Sequence, residues 1–267
     1  MTILLTICLG LFGLAVGSFL NLCIDRLPQK KSIVKPGSHC DNCGKSLKAA
    51  DLVPVFSYIW LRGRCRYCGA HIPLRLPVVE LATAFIFAFL AWHYLHLGQR
   101  LELGFAVIYA AIFIAIFVID LEQGLVLNVL VFPAMAPALV FSFFWDGFEE
   151  LWPRVGPGFT LSALLGGAVG FGLMLLPYLI SRGGMGAGDV KLAGLIGMVV
   201  GFPQVLAALL VGIIIGGLVA VFLLVARLRG RKEAIPFGPF LAVGAMVALV
   251  WGTQIIEWYR TSLTNLG

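Results

Sequence analysis

Charge is what this sequence lacks. Of its 267 residues only 12% are charged and 60% are hydrophobic, against about 25% and about 45–50% in soluble domains. Nineteen Lys and Arg with thirteen Asp and Glu cannot coat a globule of this size, whereas a body dissolved in lipid needs no such coat. An ordinary soluble fold is excluded. Cysteine is also scarce, at six residues, which excludes a small scaffold built on disulfides. Low-complexity tracts are absent, and with them long disorder or a collagen-like repeat. No internal repeat suggests the inverted halves of a transporter. The first apolar run has no basic segment before it, is too long for a signal-peptide core and shows no cleavage site, so it is read as a membrane helix.

Long apolar runs are what the sequence has. They lie at 3–24, 76–97, 102–121, 124–145, 158–180, 203–226 and 237–258, with a shorter one at 189–201 bounded by Gly201-Phe202-Pro203. Backbone groups left unpaired in lipid are costly, so spanning segments are helices or closed barrels. Unbroken runs without alternation favour helices. The expected fold is an all-α polytopic membrane protein of about eight transmembrane helices. Its expected divisions are 1–25 as the first helix, 26–75 as a cytosolic insert and 76–267 as a membrane core. Gly13-x3-Gly17, Gly166-x3-Gly170 and Gly212-x3-Gly216 each place two glycines on one helical face, a packing signal.

The cations fall on one side. If the insert is cytosolic, alternation makes the segments near 120–124, 181–191 and 227–235 cytosolic as well. Sixteen of the nineteen Lys and Arg then face the cytosol, leaving Arg100, Arg154 and Arg260 outside. Both termini and the 146–157 loop, with Asp146, Glu149 and Glu150, are expected outside. The net charge of +6 is therefore topological, and a nucleic-acid partner loses its support.

The insert carries Cys40-Asp41-Asn42-Cys43 and Cys65-Arg66-Tyr67-Cys68, separated by 21 residues and each followed by glycine. Four thiolates at this spacing suit tetrahedral Zn2+ in a zinc-ribbon-like module, and four protein ligands make the metal structural. Two disulfides are the alternative, disfavoured in a reducing cytosol. His39 and His71 flank the knuckles as solvated or supporting groups. Cys8 and Cys23 read as apolar residues of the first helix.

Ionisable groups inside apolar spans are functional candidates by default. Asp120 ends the third run, and Asp189 opens the short run within Gly186-Ala187-Gly188-Asp189-Val190-Lys191. Both fall at the cytosolic membrane boundary. Two carboxylates that share a site share a proton, so one can activate water while the other polarises a carbonyl. The competing reading is a pair of interfacial helix-end charges, with Asp189 capping its helix. The glycines Gly183, Gly184, Gly186 and Gly188 let backbone, water or an extended substrate come close. They do not form a dinucleotide site, because no strand precedes them. Glu80 is read either as a substrate contact or as the partner of a group such as Arg75.

Taken together, these segments resemble the type IV prepilin peptidases, bifunctional leader peptidases and N-methyltransferases of the GxGD aspartyl protease class. The resemblance rests on Gly17-Ser18-Phe19-Leu20-Asn21 with Arg26-Leu27-Pro28, both C-x2-C pairs, Asp51 to Val55, Leu61 to Cys65 and Pro77 to Leu81. It continues through Ile119-Asp120, Gly186 to Asp189 with Lys191-Leu192, and Pro236 to Ala242. It implies that Asp120 and Asp189 are catalytic, with Gly186, Gly188, Lys191 and Glu80 in support, and that Cys40, Cys43, Cys65 and Cys68 hold the zinc. It further implies a multi-pass protein of the bacterial inner membrane that cleaves prepilins and pseudopilins at the cytosolic boundary. S-adenosylmethionine would be the methyl donor, with membrane lipid and a pilus or type II secretion assembly machinery as partners. Departures are Leu127 where relatives often have proline before Asn128, Asp41 for a proline in the first knuckle, and Leu76 for an aromatic before Pro77. None removes a ligand or a carboxylate. The alternatives are a peptidase without methylation, a proton-coupled transporter using Asp120, Asp189 and Glu80, and an assembly factor that binds a partner through the zinc module.

Overall fold

The computed structural model describes residues 2–142, 159–180, 185–227 and 235–264. In chain order the helices are α1 (Thr2–Arg26), the short α2 (Phe56–Trp60), α3 (Arg75–His96), α4 (Arg100–Gln123), α5 (Asn128–Ser142), α6 (Phe159–Ile180), α7 (Ala187–Val200), α8 (Gln204–Val225) and α9 (Gly238–Thr264). Among the described residues, β-structure is limited to two isolated bridges. Among the described residues, six helices are long and apolar enough to cross a membrane, and α5 is a shorter apolar helix. With the 14 residues of α7, they fill the eight places expected. The protein is a multi-pass membrane protein.

The outer faces of these helices carry large apolar side chains, such as Ile3, Leu11, Phe85, Ile180 and Phe222, fully in the open. In water that surface would aggregate; in hydrocarbon it is the solvated state. The fourth run begins later than its composition implies. Gly124, at φ +64°, ends α4 by donating to the Asp120 carbonyl, and α5 starts only at Asn128. The 146–157 loop, Gly183 and Gly184 lie outside the described residues.

The chain divides into two compact units, Met1–Ala115 and Ile116–Gly267. In the first unit α1 lies against α3. A Cβ on Gly17 would sit 2.7 Å from Glu80 Cα, and one on Gly13 would sit 2.8 Å from Ala84 Cα. The two backbones touch because no side chain stands between them. In the second unit the same device is used twice. Gly166 and Gly170 of α6 meet the backbone of α7 at Gly197 and Ala193, and Gly212 and Gly216 of α8 pack on Phe240 of α9. Lipid tails are as apolar as Leu, so this close fit, and not a hydrophobic drive between helices, holds each pair.

A Cβ on Gly104 of α4 meets nothing within 4 Å. Gly104→Ala is therefore expected to be neutral or to raise the melting temperature slightly through helix propensity. Gly17→Ala is expected to destabilise the purified protein by about 1–3 kcal/mol, since Glu80 backbone has nowhere to move. Thermal unfolding in one detergent compares the two directly.

Candidate functional site

Three groupings of chemistry emerge, two in the first unit and one in the second. The insert opens with two hairpin-like knuckles of nearly identical backbone. In the first, Cys40 N–H donates to the Lys45 carbonyl and Gly44 N–H to the Cys40 carbonyl; in the second, Cys65 pairs with Ala70 and Gly69 with Cys65 in the same way. The bridges His39 to Ser46 and Arg64 to His71 close them. Gly44 and Gly69 have φ of +67° and +73°, which a side chain resists and which the tight turn requires. The result brings Cys40, Cys43, Cys65 and Cys68 together, with all four sulfurs within 4.8 Å of one another. The Cys40 and Cys68 sulfurs are 3.8 Å apart. Hydrogen bonds from the Ala70 N–H and the Asn42 amide push the Cys68 thiol down to about 6, against a weaker opposing effect of burial. Four converging sulfurs, one poised as thiolate, form a cluster that could bind a metal ion. His39 instead bonds the Gly37 carbonyl through Nδ1.

Asp51 braces the second knuckle. Its carboxylate accepts from Arg66 Nε at 2.6 Å, Tyr67 Oη at 3.2 Å and the Lys48 N–H at 3.1 Å. Burial raises its pKa, but those three bonds outweigh burial and hold the group below its ordinary value of 3.8. Glu80, 8% exposed on the first turns of α3, ties the insert to the helix. Its Oε2 accepts the Val55 N–H at 2.7 Å, and the Ser18 hydroxyl donates to it from α1. Arg75 meets Asp25 at 2.7 Å. Around these residues opens a cleft of about 920 Å³, walled by the end of α1, the insert and the start of α3.

In the second unit Asp120 and Asp189 are 4% and 7% exposed and close enough to feel each other's charge. Each is held by a glycine at a helix start. Gly186 is the N-cap of α7, and its N–H donates to the Asp189 side chain at the third helical position. Gly238, the first residue of α9, donates its N–H to Asp120. Two positive helix ends thus meet two carboxylates. A Cβ on Gly238 would lie 2.6 Å from Asp120 Oδ2, and one on Gly188 would lie 2.7 Å from Val126 Cβ. Asp120 Oδ2 is buried without a hydrogen-bond partner. Lys191 reaches α5, donating to Asn128 Oδ1 at 3.1 Å and lying over the Phe132 ring.

The sequence reading brought the two aspartates and Gly186 to one place, as the structure does. It put Glu80 and Lys191 near the chemistry; here Glu80 joins α1, α3 and the insert, and Lys191 joins α7 to α5. It did not single out Gly238, although two prolines and two phenylalanines around one glycine mark a backbone held close to something. In the sequence Asn128 stands out only as the residue that follows the departure at Leu127, and Asn21 only within a longer stretch.

The comparisons with known proteins agree with this layout. Residues 11–94 match the bacterial peptidase A24 N-terminal domain, and residues 106–221 match the type IV leader peptidase family. A protein of Bacillus subtilis (strain 168) named prepilin leader peptidase/N-methyltransferase is 33% identical over 94% of this chain and 96% of its own. Proteins of the same name from Aeromonas hydrophila and Pseudomonas aeruginosa are each 31% identical, over 94% and 95% of this chain and 92% of theirs. No solved structure matches.

The Asp51 brace predicts a pH response. Its lowered value means that the charged form contributes stability above about pH 4, and that this contribution is lost as pH falls through the lowered value. Hydrogen exchange of residues 48–67 is expected to quicken at acid pH, and Asp51→Asn should quicken it already at neutral pH; equal protection in variant and parent at pH 7 would refute the brace.

With both halves matched and relatives above 30% identity covering nearly all of its length, the chain belongs to the type IV leader peptidase family.

Proposed function

We propose that this protein is a prepilin leader peptidase and N-methyltransferase of a bacterial inner membrane. It removes the basic leader of prepilins and pseudopilins at the cytosolic face and then methylates the new N-terminus. The observation that supports cleavage most is the buried pair Asp120 and Asp189, each anchored by a glycine N–H, in a chain of this family.

In the proposed mechanism the pair holds one proton between its two carboxylates. The ionised member takes a proton from water as the water oxygen attacks the scissile carbonyl, while the protonated member donates to the carbonyl oxygen. Collapse of the tetrahedral intermediate breaks the C–N bond, with a proton delivered to the departing amine. Asp120 Oδ2, with no protein donor, is the natural seat for that water. Gly238 cannot carry a side chain, since a Cβ there would lie 2.6 Å from Asp120 Oδ2, whereas one on Gly186 would make only an ordinary 3.4 Å contact with Asp189 Oδ2. The sixteen cations assigned to the cytosolic side support this orientation, with both termini outside.

Zn2+ is the metal proposed for the four cysteines. With Zn–S bonds of about 2.3 Å, two ligand sulfurs of a tetrahedron stand about 3.8 Å apart, which matches Cys40 and Cys68. Its role is to hold an insert that has little apolar core of its own. Methyl transfer draws on S-adenosylmethionine, whose bound sulfonium supplies an activated methyl group.

Asp120→Asn and Asp189→Asn are each expected to lower cleavage of a purified prepilin by about 10²–10⁴-fold or more with normal membrane insertion; cleavage at the parent rate by either variant would remove the pair from the chemistry. Elemental analysis is expected to find about one zinc per chain, lost in Cys40→Ser or Cys68→Ser. A protein free of metal as purified would disprove the zinc.

A further inference from the structure

The cleft of the first unit is a feature that the cleavage chemistry leaves unused. At about 920 Å³ it falls within the range of small-molecule sites, about 300–1,000 Å³, which combine apolar walls with a few fixed polar groups. One wall is apolar, with Leu22, Tyr58, Leu61, Ile72 and Leu76. The polar lining includes Asn21, Asp25, Arg26 and Glu80, with further cations and hydroxyls of the insert around them.

Asn21 is the telling residue. It is 3% exposed, and its Nδ2 donates to the Leu76 carbonyl at 2.9 Å, which fixes the amide. Its Oδ1 is buried with no partner. An acceptor left so is costly in the folded protein, and an arriving donor would relieve that cost. Glu80 stands by it on the same cleft. One of its oxygens accepts the Val55 N–H, and a carboxylate has about four acceptor sites in all. The ligand that suits this side carries N–H donors and positive charge. Arg26, with Nη1 and Nη2 already on the carbonyls of Ser32 and Gly37, keeps Nε for an anionic group, and Lys31 lines the same cleft. The complement is therefore a molecule with a cationic centre, an ammonium, a carboxylate and an apolar aromatic end.

We infer that this cleft seats the methyl donor, S-adenosylmethionine, with Asn21 and Glu80 receiving its cationic end and the wall around Tyr58 its nucleoside. The inference rests on the methyl-transfer reading above and adds the place where the donor sits. It assigns work to residues outside the aspartate pair and outside the metal ligands. It also gives the insert a purpose, because the knuckles line the seat and the Val55 N–H holds Glu80 in it.

The test is direct binding, with the full chain in detergent. S-adenosylmethionine and S-adenosylhomocysteine, which lacks the methyl group and the sulfonium charge, are titrated against the parent, Asn21→Leu and Glu80→Gln. Zinc content and melting temperature serve as checks on folding. Glu80→Gln keeps an acceptor for the Val55 N–H. It is expected to weaken S-adenosylmethionine by about tenfold and S-adenosylhomocysteine less, narrowing the preference for the charged ligand. In the parent protein, ultraviolet cross-linking of methyl-labelled donor should map to peptides within 18–31 or 52–80, a measurement that needs no variant. Donor bound equally by all three proteins, or cross-links confined to 116–267, with methylated product still formed, would overturn the seat and leave the methylation reading standing. No donor binding together with an unmethylated product would overturn that reading and the seat with it.

Discussion

A polar group buried in hydrocarbon without a partner costs far more than any single contact returns, and the arrangement of this protein follows from that asymmetry. With 12% of its residues charged, it can place few groups inside, and those it does place are tied down. Asp120 is bound to the N–H of Gly238 and Asp189 to that of Gly186. Both donors belong to the starts of helices, where the first N–H groups have no partner inside the helix. One device thus satisfies two needs, the carboxylates' and the helices'. It also fixes where such a pair can be built, at helix ends and not along a continuous wall.

The same constraint explains the glycines. Helices in lipid gain little from hiding apolar side chains, so they associate where backbones can come close. α1 with α3, α6 with α7 and α8 with α9 all do so at glycine. The consequence reaches the chemistry in the second unit. α7 carries Asp189 and α9 begins at Gly238; each is positioned by a neighbour that touches its backbone. Bulk added at Gly170, which meets Ala193 of α7, or at Gly212, which meets Phe240 of α9, would therefore act on the aspartates although neither glycine lies beside them.

Much of this could be read without coordinates, for physical reasons. Apolar runs of membrane length announce spans because the bilayer sets that length, and two C-x2-C pairs with following glycines announce a four-sulfur cluster because turn geometry and ligand number leave few alternatives. Asp120 and Asp189 stood out because ionisable residues in such runs are rare. What could not be read was each residue's partner. Glu80 meets a backbone N–H of Val55, 25 residues earlier, and no spacing rule reports a bond to a backbone group in a loop. Gly238 was visible as a glycine between prolines, yet its closeness to Asp120 depends on where α9 begins in space, which no local pattern reports. The late start of α5 was hidden for a local reason: Leu125, Val126 and Leu127 are as apolar as the helix that follows, and only Gly124 at positive φ breaks the run.

The two chemistries proposed for the chain make opposite demands on solvent, and the two units answer them differently. Hydrolysis by a carboxylate pair needs few competing donors, because each additional hydrogen bond to the ionised member would weaken it as a base. Asp120 Oδ2, with no protein donor at all, meets that need. Methyl transfer from a sulfonium needs acceptors and negative charge around a cation, with access for a ligand that must exchange after every turnover. The cleft in the first unit is open and partly polar, and its Glu80 carboxylate is held by the Val55 N–H of an insert that the four cysteines and the Asp51 brace give a fixed shape. Such a site could not be built inside the bilayer, where a cationic ligand would have to shed its water without compensation. A chain with so little charge to distribute concentrates ten of its nineteen cations and a four-cysteine cluster in one water-facing insert, and that insert supplies the polar chemistry that its membrane helices are too apolar to provide.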